Sequence, residues 1–78
     1  MNLQIVTPDN SIFEGEASLV KLPGIDGSFE VLENHAPIIS VLKQGEIKVI
    51  KADKTEAFFP VKGGVVEVLN NKVLILVQ

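Results

Sequence analysis

Apolar residues recur at every second position or in short β-branched runs along most of the chain, and turn formers interrupt them at intervals of about 8–12 residues. Leu3 to Thr7 opens the pattern and Pro8-Asp9-Asn10-Ser11 stops it. Ile12-Phe13-Glu14 resumes it, and a further strand from Ala17 to Leu22 ends at Pro23-Gly24. Ser28 to Leu32 follows the Asp26-Gly27 turn, Ile38 to Leu42 follows Pro37, and Glu46 to Ile50 follows Lys43-Gln44-Gly45. In that last segment Ile47 and Val49 share one face while Glu46 and Lys48 share the other, the mark of a strand with one dry side.

Ala52-Asp53-Lys54 predicts a hairpin tip leading into Glu56 to Val61, where Pro60 restricts the strand to an edge or a bulge. Gly63-Gly64 marks a bend, Val65 to Leu69 follows, and the Asn70-Asn71 turn leads into Val73 to Val77. No window carries a capped helical period. The pattern predicts an all-β chain, a small two-sheet β-sandwich of short strands in one domain over residues 1–78. The unbroken apolar run Val73 to Val77 is an aggregation hazard on an edge, so it is expected at the centre of a sheet and covered on both faces.

A 78-residue chain buries only roughly 60% of its unfolded surface, and it contains no cysteine and one histidine, so neither a disulfide nor a Cys/His zinc site reinforces it. Its 46% hydrophobic content is more than so small a core needs, and no run approaches the ~20 apolar residues that span a bilayer. A partner surface is the expected use of the surplus. A net charge of −3, with seven scattered lysines and no arginine, argues against nucleic-acid binding. Nothing near Met1 has the charged and apolar regions of a signal peptide, which makes the cytoplasm the expected compartment.

Candidate chemistry is sparse. His35 is the only side chain that ordinarily titrates near neutrality; Ser28, Ser40, Glu33 and Asp26 lie close to it in sequence, so a small hydrolase built on His35 is one reading. The other is that His35 pins the turn before Pro37. The glycines at 24, 27, 63 and 64 precede no helix and lack the Gly-Lys-Ser/Thr ending of a nucleotide loop, which assigns them to turns and close backbone approach. Asp53-Lys54-Thr55 lacks the flanking pattern of a lipoyl-type carrier hairpin.

The stretch PGIDGSFEVLENHAPIISVLKQGEI, Pro23 to Ile47, holds three of the six glycines, two of the four prolines and the histidine. Its order Pro-Gly-x-x-Gly-x-Phe-x-Val-Leu-x-x-His-Ala-Pro-Ile-Ile-x-x-Leu-x-x-Gly-x-Ile resembles the signature of the epsilon subunit of F-type ATP synthases. Leu3 to Pro8 with Ile12 to Gly15 is similar to that family's opening strand and Phe-x-Gly element. Phe58 to Val68, with its Gly-Gly-hydrophobic-x-Glu-Val, and Asn71-Lys72-Val73 are similar to its closing hairpins. The match is collinear over nearly the whole chain. Where the family reads Gly-Val-Leu-Pro before the histidine, this chain has Glu30-Val31-Leu32-Glu33, which adds two carboxylates beside the docking segment.

The resemblance implies a non-catalytic rotor subunit of a proton- or sodium-translocating F-type ATP synthase, peripheral on the cytoplasmic face of a bacterial inner membrane. It would hold the gamma subunit against the c-subunit ring, with no cofactor, metal or direct membrane insertion. Position by position, Thr7, His35 and Ser40 match the gamma-facing side, and Asn34, Ala36, Pro37, Ile38 and Val41 extend it by proximity. Asp26, Gly27 and Ser28 match the loop that faces the c ring. The family continues into a pair of helices that restrain ATP hydrolysis; this chain stops at Gln78, so no helix-borne brake or ATP site is expected of it. A free-standing β-sandwich adaptor for some other protein is the alternative.

Overall fold

A computed structural model describes residues 1–78. Eight strands follow one another: β1 Asn2–Val6, β2 Ser11–Gly24, β3 Gly27–Leu32, β4 Ile38–Leu42, β5 Gly45–Lys51, β6 Glu56–Val61, β7 Gly64–Leu69 and β8 Lys72–Val77. The domain is all-β, as the alternation predicts. Sequence and structure differ most at β2, a single strand of 14 residues instead of two short ones. The Gly15-Glu16 break expected within it does not occur, because these residues stay in register with Leu3 and Asn2 of β1.

The length of β2 lets one strand serve both layers. Ser11 to Glu16 pair with β1, whereas Leu19 to Gly24 pair with β3 on one side and Ala17 to Lys21 with β5 on the other. The register on β5 slips between Ala17 and Leu19, leaving Ser18 as an extra residue whose hydroxyl donates to the Ile50 carbonyl at 3.3 Å. Such a bulge bends a strand and increases its twist, and here it carries β2 from one layer into the next. The first layer runs β4-β7-β8-β1 and ends on β2; the second holds β3, β2, β5 and β6.

Alternation places one side of every strand in a common interior. Leu3 and Ile5, Val20 and Leu22, Val31, Ile47 and Val49, Val66 and Val68, and Val73 and Ile75 are all buried there. Each such side chain contributes about 1.5–3 kcal/mol, and Phe13 and Phe59, with ring centroids 5.7 Å apart, close one side. No polar side chain is buried.

The turns follow their residues. Asn70 and Asn71 both adopt positive φ, 52° and 60°, in the two-residue hairpin that joins Leu69 to Lys72. Pro60 lies on β6, which pairs only with β5, so the proline sits on an edge as expected. β8 is central, between β7 and a parallel β1, yet it is not covered on both faces: Leu76 is 51% exposed. Residues at every second position of β8 point out of the sandwich, and no further layer lies over them.

Gly64 is fixed by close approach, since a Cβ there would stand 2.2 Å from the Leu76 carbonyl oxygen. Gly64→Ala must push β7 from β8, and the expected cost is about 1–3 kcal/mol, read as a lower urea midpoint with an unchanged slope.

Candidate functional site

The segment from Leu32 to Leu42 leaves one layer as β3, crosses as a loop and enters the other as β4. Asn34 takes φ 59°, a left-handed conformation that asparagine tolerates, and its amide donates to the Asn71 side-chain oxygen at 2.8 Å. Asn71 Nδ2 in turn donates to Glu33 Oε2 at 3.0 Å, and the other Glu33 oxygen accepts from the Met1 amino group, which also donates to the Ala17 carbonyl at 2.9 Å. The bond from the Met1 ammonium and that from Asn71 hold the Glu33 carboxyl below its ordinary pKa of 4.5. Glu33 is thereby engaged within its own chain. Glu30 lies opposite Lys21 on the outer side of the second layer. The charge expected to face a partner at these two positions is therefore matched internally at Glu33 and faces a lysine at Glu30.

His35 is half-buried, its amide bonded to the Leu32 carbonyl at 3.2 Å and its Nδ1 lying 2.7 Å from the Ala36 carbonyl, to which the Nδ1–H tautomer donates. That carbonyl is the ring's one hydrogen-bond partner, and no serine or carboxylate meets it. The imidazole pins the turn before Pro37. No group of three or more His, Cys, Asp or Glu side chains is placed to hold a metal ion.

β4 divides the remaining candidates by period two. Ile38 and Ser40 turn inward, half-buried, opposite the core residues Val68 and Val66. Ile39 and Val41 turn outward and are 73% and 51% exposed. Ser40 and Val41 thus lie on opposite faces, and Ile39 belongs with the outward set although sequence proximity alone passed it over.

The registers extend the outward set across the first layer. Val41 is opposite Val65, Val65 opposite Leu76, and Leu76 beside Val6, an apolar row across four strands. The next row holds Ile39, Glu67, Leu74 and Gln4. Thr7 continues from Val6 and closes the Pro8-Asp9 turn, its amide on the Asn10 carbonyl at 2.8 Å and its hydroxyl accepting from the Asn10 amide at 3.0 Å. Thr7 and the His35 loop therefore frame opposite ends of this face, Thr7 beyond the Val6 row and His35 beside Asn70 and Asn71.

Asp26, Gly27 and Ser28 come together, all exposed, at the tip of the β2–β3 hairpin. Gly27 has φ 132°, which a residue with a side chain rarely adopts. Ile25 shares the tip at 58% exposure; an apolar residue between Gly24 and Asp26 was the signal for it. Two backbone bonds brace the tip against β4, from the Ile25 amide to the Val41 carbonyl and from the Lys43 amide to the Pro23 carbonyl, both 2.9 Å.

The molecule is a small β-sandwich that presents an outward apolar sheet face and a braced hairpin tip. The family profile described as "ATP synthase, Delta/Epsilon chain, beta-sandwich domain" matches residues 1–78. The chain is 41% identical over 76 residues to the ATP synthase epsilon chain of Chlorobium limicola, a match covering 97% of this chain and 86% of that one. It is 42% identical to that of Sulfurimonas denitrificans over 78 residues, all of this chain and 60% of the relative. Among solved structures, a chain of the Euglena gracilis mitochondrial ATP synthase, OSCP/F1/c-ring assembly superposes with a TM-score of 0.90 at 21% identity, over 96% of this chain and 48% of its own length. The chain belongs to the ATP synthase delta/epsilon family, through its β-sandwich domain.

The Glu33 contacts give a pH dependence. A folded pKa below 4.5 means stability that is fully present above that pH and lost as pH falls through the lowered folded value. Asp53, held below 3.8 by the Thr55 hydroxyl and amide, acts in the same direction at lower pH. Wild type should melt above Glu33→Gln at neutral pH, and the gap should begin to narrow only as pH falls below 4.5; a pH series of thermal melts checks it.

Proposed function

We propose that this protein is the non-catalytic central-stalk subunit that links gamma to the c-subunit ring of a proton- or sodium-driven F-type ATP synthase. It sits peripherally on the cytoplasmic face of a bacterial inner membrane. Family membership sets the complex, and the observation that carries the mechanism is the joining of two exposed regions through one rigid sheet. The gamma-facing region comprises Thr7, the Asn34, His35, Ala36 and Pro37 loop, and the outward side of β4 at Val41; Ile38 and Ser40 support that strand from within.

The ring-facing region is the tip formed by Asp26, Gly27 and Ser28, with Ile25 beside them. Ordered backbone on both sides lowers the entropy lost on docking. No helix of the protein is long and apolar enough to cross a membrane.

Reconstitution of the catalytic head and gamma with the membrane ring tests the assignment. Val41→Asp places a charge in the gamma-facing region and should weaken binding to gamma at least about tenfold, about 1.4 kcal/mol. Asp26→Lys should leave that affinity unchanged while reducing retention on the ring and ATP synthesis driven by ion flow. Equal loss of both by either variant would contradict the division of the surface.

A further inference from the structure

β3 and β6 pair along one side only, β4 does so except at its last residue, and two of these three edges are defended. β6 carries Glu56 and Pro60, and β3 carries Glu30; charge and proline on an edge discourage pairing with another chain. β4 reads Ile38-Ile39-Ser40-Val41-Leu42, with no charge, proline or glycine. It pairs with β7 along its length and touches β2 only where Gly24 meets Leu42.

The orientation of its backbone groups follows from two bonds. The Val41 carbonyl and the Lys43 amide both point away from β7, to Ile25 and Pro23. Amide and carbonyl directions alternate along an antiparallel strand, so Ile39 also directs its N–H and C=O away from β7. The chain provides no partner for either. Ile39 is also the most exposed large apolar side chain of the protein.

Beside this edge lies Glu67. It is opposite Ile39 in register and follows Val65 and precedes Leu69 at strand spacing, with Leu74 across on β8. It makes no ion pair, and the nearest cation in the registers, Lys72, sits diagonally across the hairpin. Pro37, Ile38, Ile39, Glu67, Val68 and Leu69 line a shallow groove along this end of β4.

We propose that β4 takes an added strand from its partner: an extended segment pairs with the backbone of Ile39, lays an apolar side chain beside Ile39, and reaches Glu67 with one Lys or Arg. Two strand spacings, roughly 10 Å, separate such a strand from β7, a span that a long basic side chain and a glutamate cover together. The backbone bonds supply affinity, and Glu67 selects the segment and its register. The inference rests on gamma as the partner at this face.

The test measures binding to gamma in its complex with the catalytic head. Proline at 39 removes the outward N–H but leaves the β4–β7 ladder intact. Ile39→Ala should weaken binding a few-fold and Ile39→Pro about tenfold beyond that, with both variants folded by thermal melting. Glu67→Gln should flatten the salt dependence of the affinity. In wild type, exchange of the Ile39 amide should slow by about a hundredfold on binding, a readout that needs no variant. Equal affinities of Ile39→Ala and Ile39→Pro, or an Ile39 amide exchanging at its free rate in the saturated complex, would overturn the added strand and leave the central-stalk assignment standing. Wild type that fails to bind gamma would overturn both. Self-association of the isolated protein that Ile39→Pro abolishes, without effect on gamma, would assign the edge to a second copy instead.

Discussion

Two layers of sheet share one strand, and the rest of the molecule depends on how that strand bends. β2 pairs with β1 over its first half and with β3 and β5 over its second, and the extra residue Ser18 makes the change of direction. Without the bulge, Ala17 could not point into the same interior as Val20 and Leu22, because a strict period of two would turn odd and even positions to opposite sides. The shared strand replaces the reinforcement that a small domain ordinarily draws from disulfides or metal.

Much of this was legible in the residues. The alternation in Glu46 to Ile50, the prolines at 37 and 60 and the paired asparagines each fix a local conformation through their own covalent chemistry, so the strands fall where the pattern put them. What was not legible depends on contacts distant in sequence. Gly15 resembles a strand break until β1 is laid alongside it, and the Val73 to Val77 run looks doubly covered until its neighbours leave one face open. In the candidate site, the family match placed Ser40 and proximity in sequence placed Ile38 and Val41 on one side, and the pleat turns Val41 away from the other two. Glu33, read as charge offered to a partner, stays at the surface but pairs within the chain, because the turn at Asn34 brings it to Asn71 and the Met1 amine, a juxtaposition that only the closed sandwich creates.

The two regions assigned to partners are joined by short, direct links. The hairpin tip hangs on β4 through the Ile25 and Lys43 amides, and a Cβ at Gly45 would stand 2.7 Å from the Pro23 ring, so the tip has little room to tilt. A stiff connection of this kind suits a subunit that must carry sideways force between two neighbours. Compliance there would store the displacement as bending.

The parallel pairing of β1 with β8 sets a requirement on how the molecule is made. Residues 2 to 6 find one of their two strand neighbours at residues 72 to 76, so β1 stays half-paired until β8, some seventy residues later in the chain, has been made. Closing so long a loop is costly in chain entropy and slows folding compared with a domain of local contacts. Until β8 arrives, Leu3 and Ile5 sit in a layer with one side open, which makes the nascent chain sticky during synthesis and gives the cell a reason to shield it.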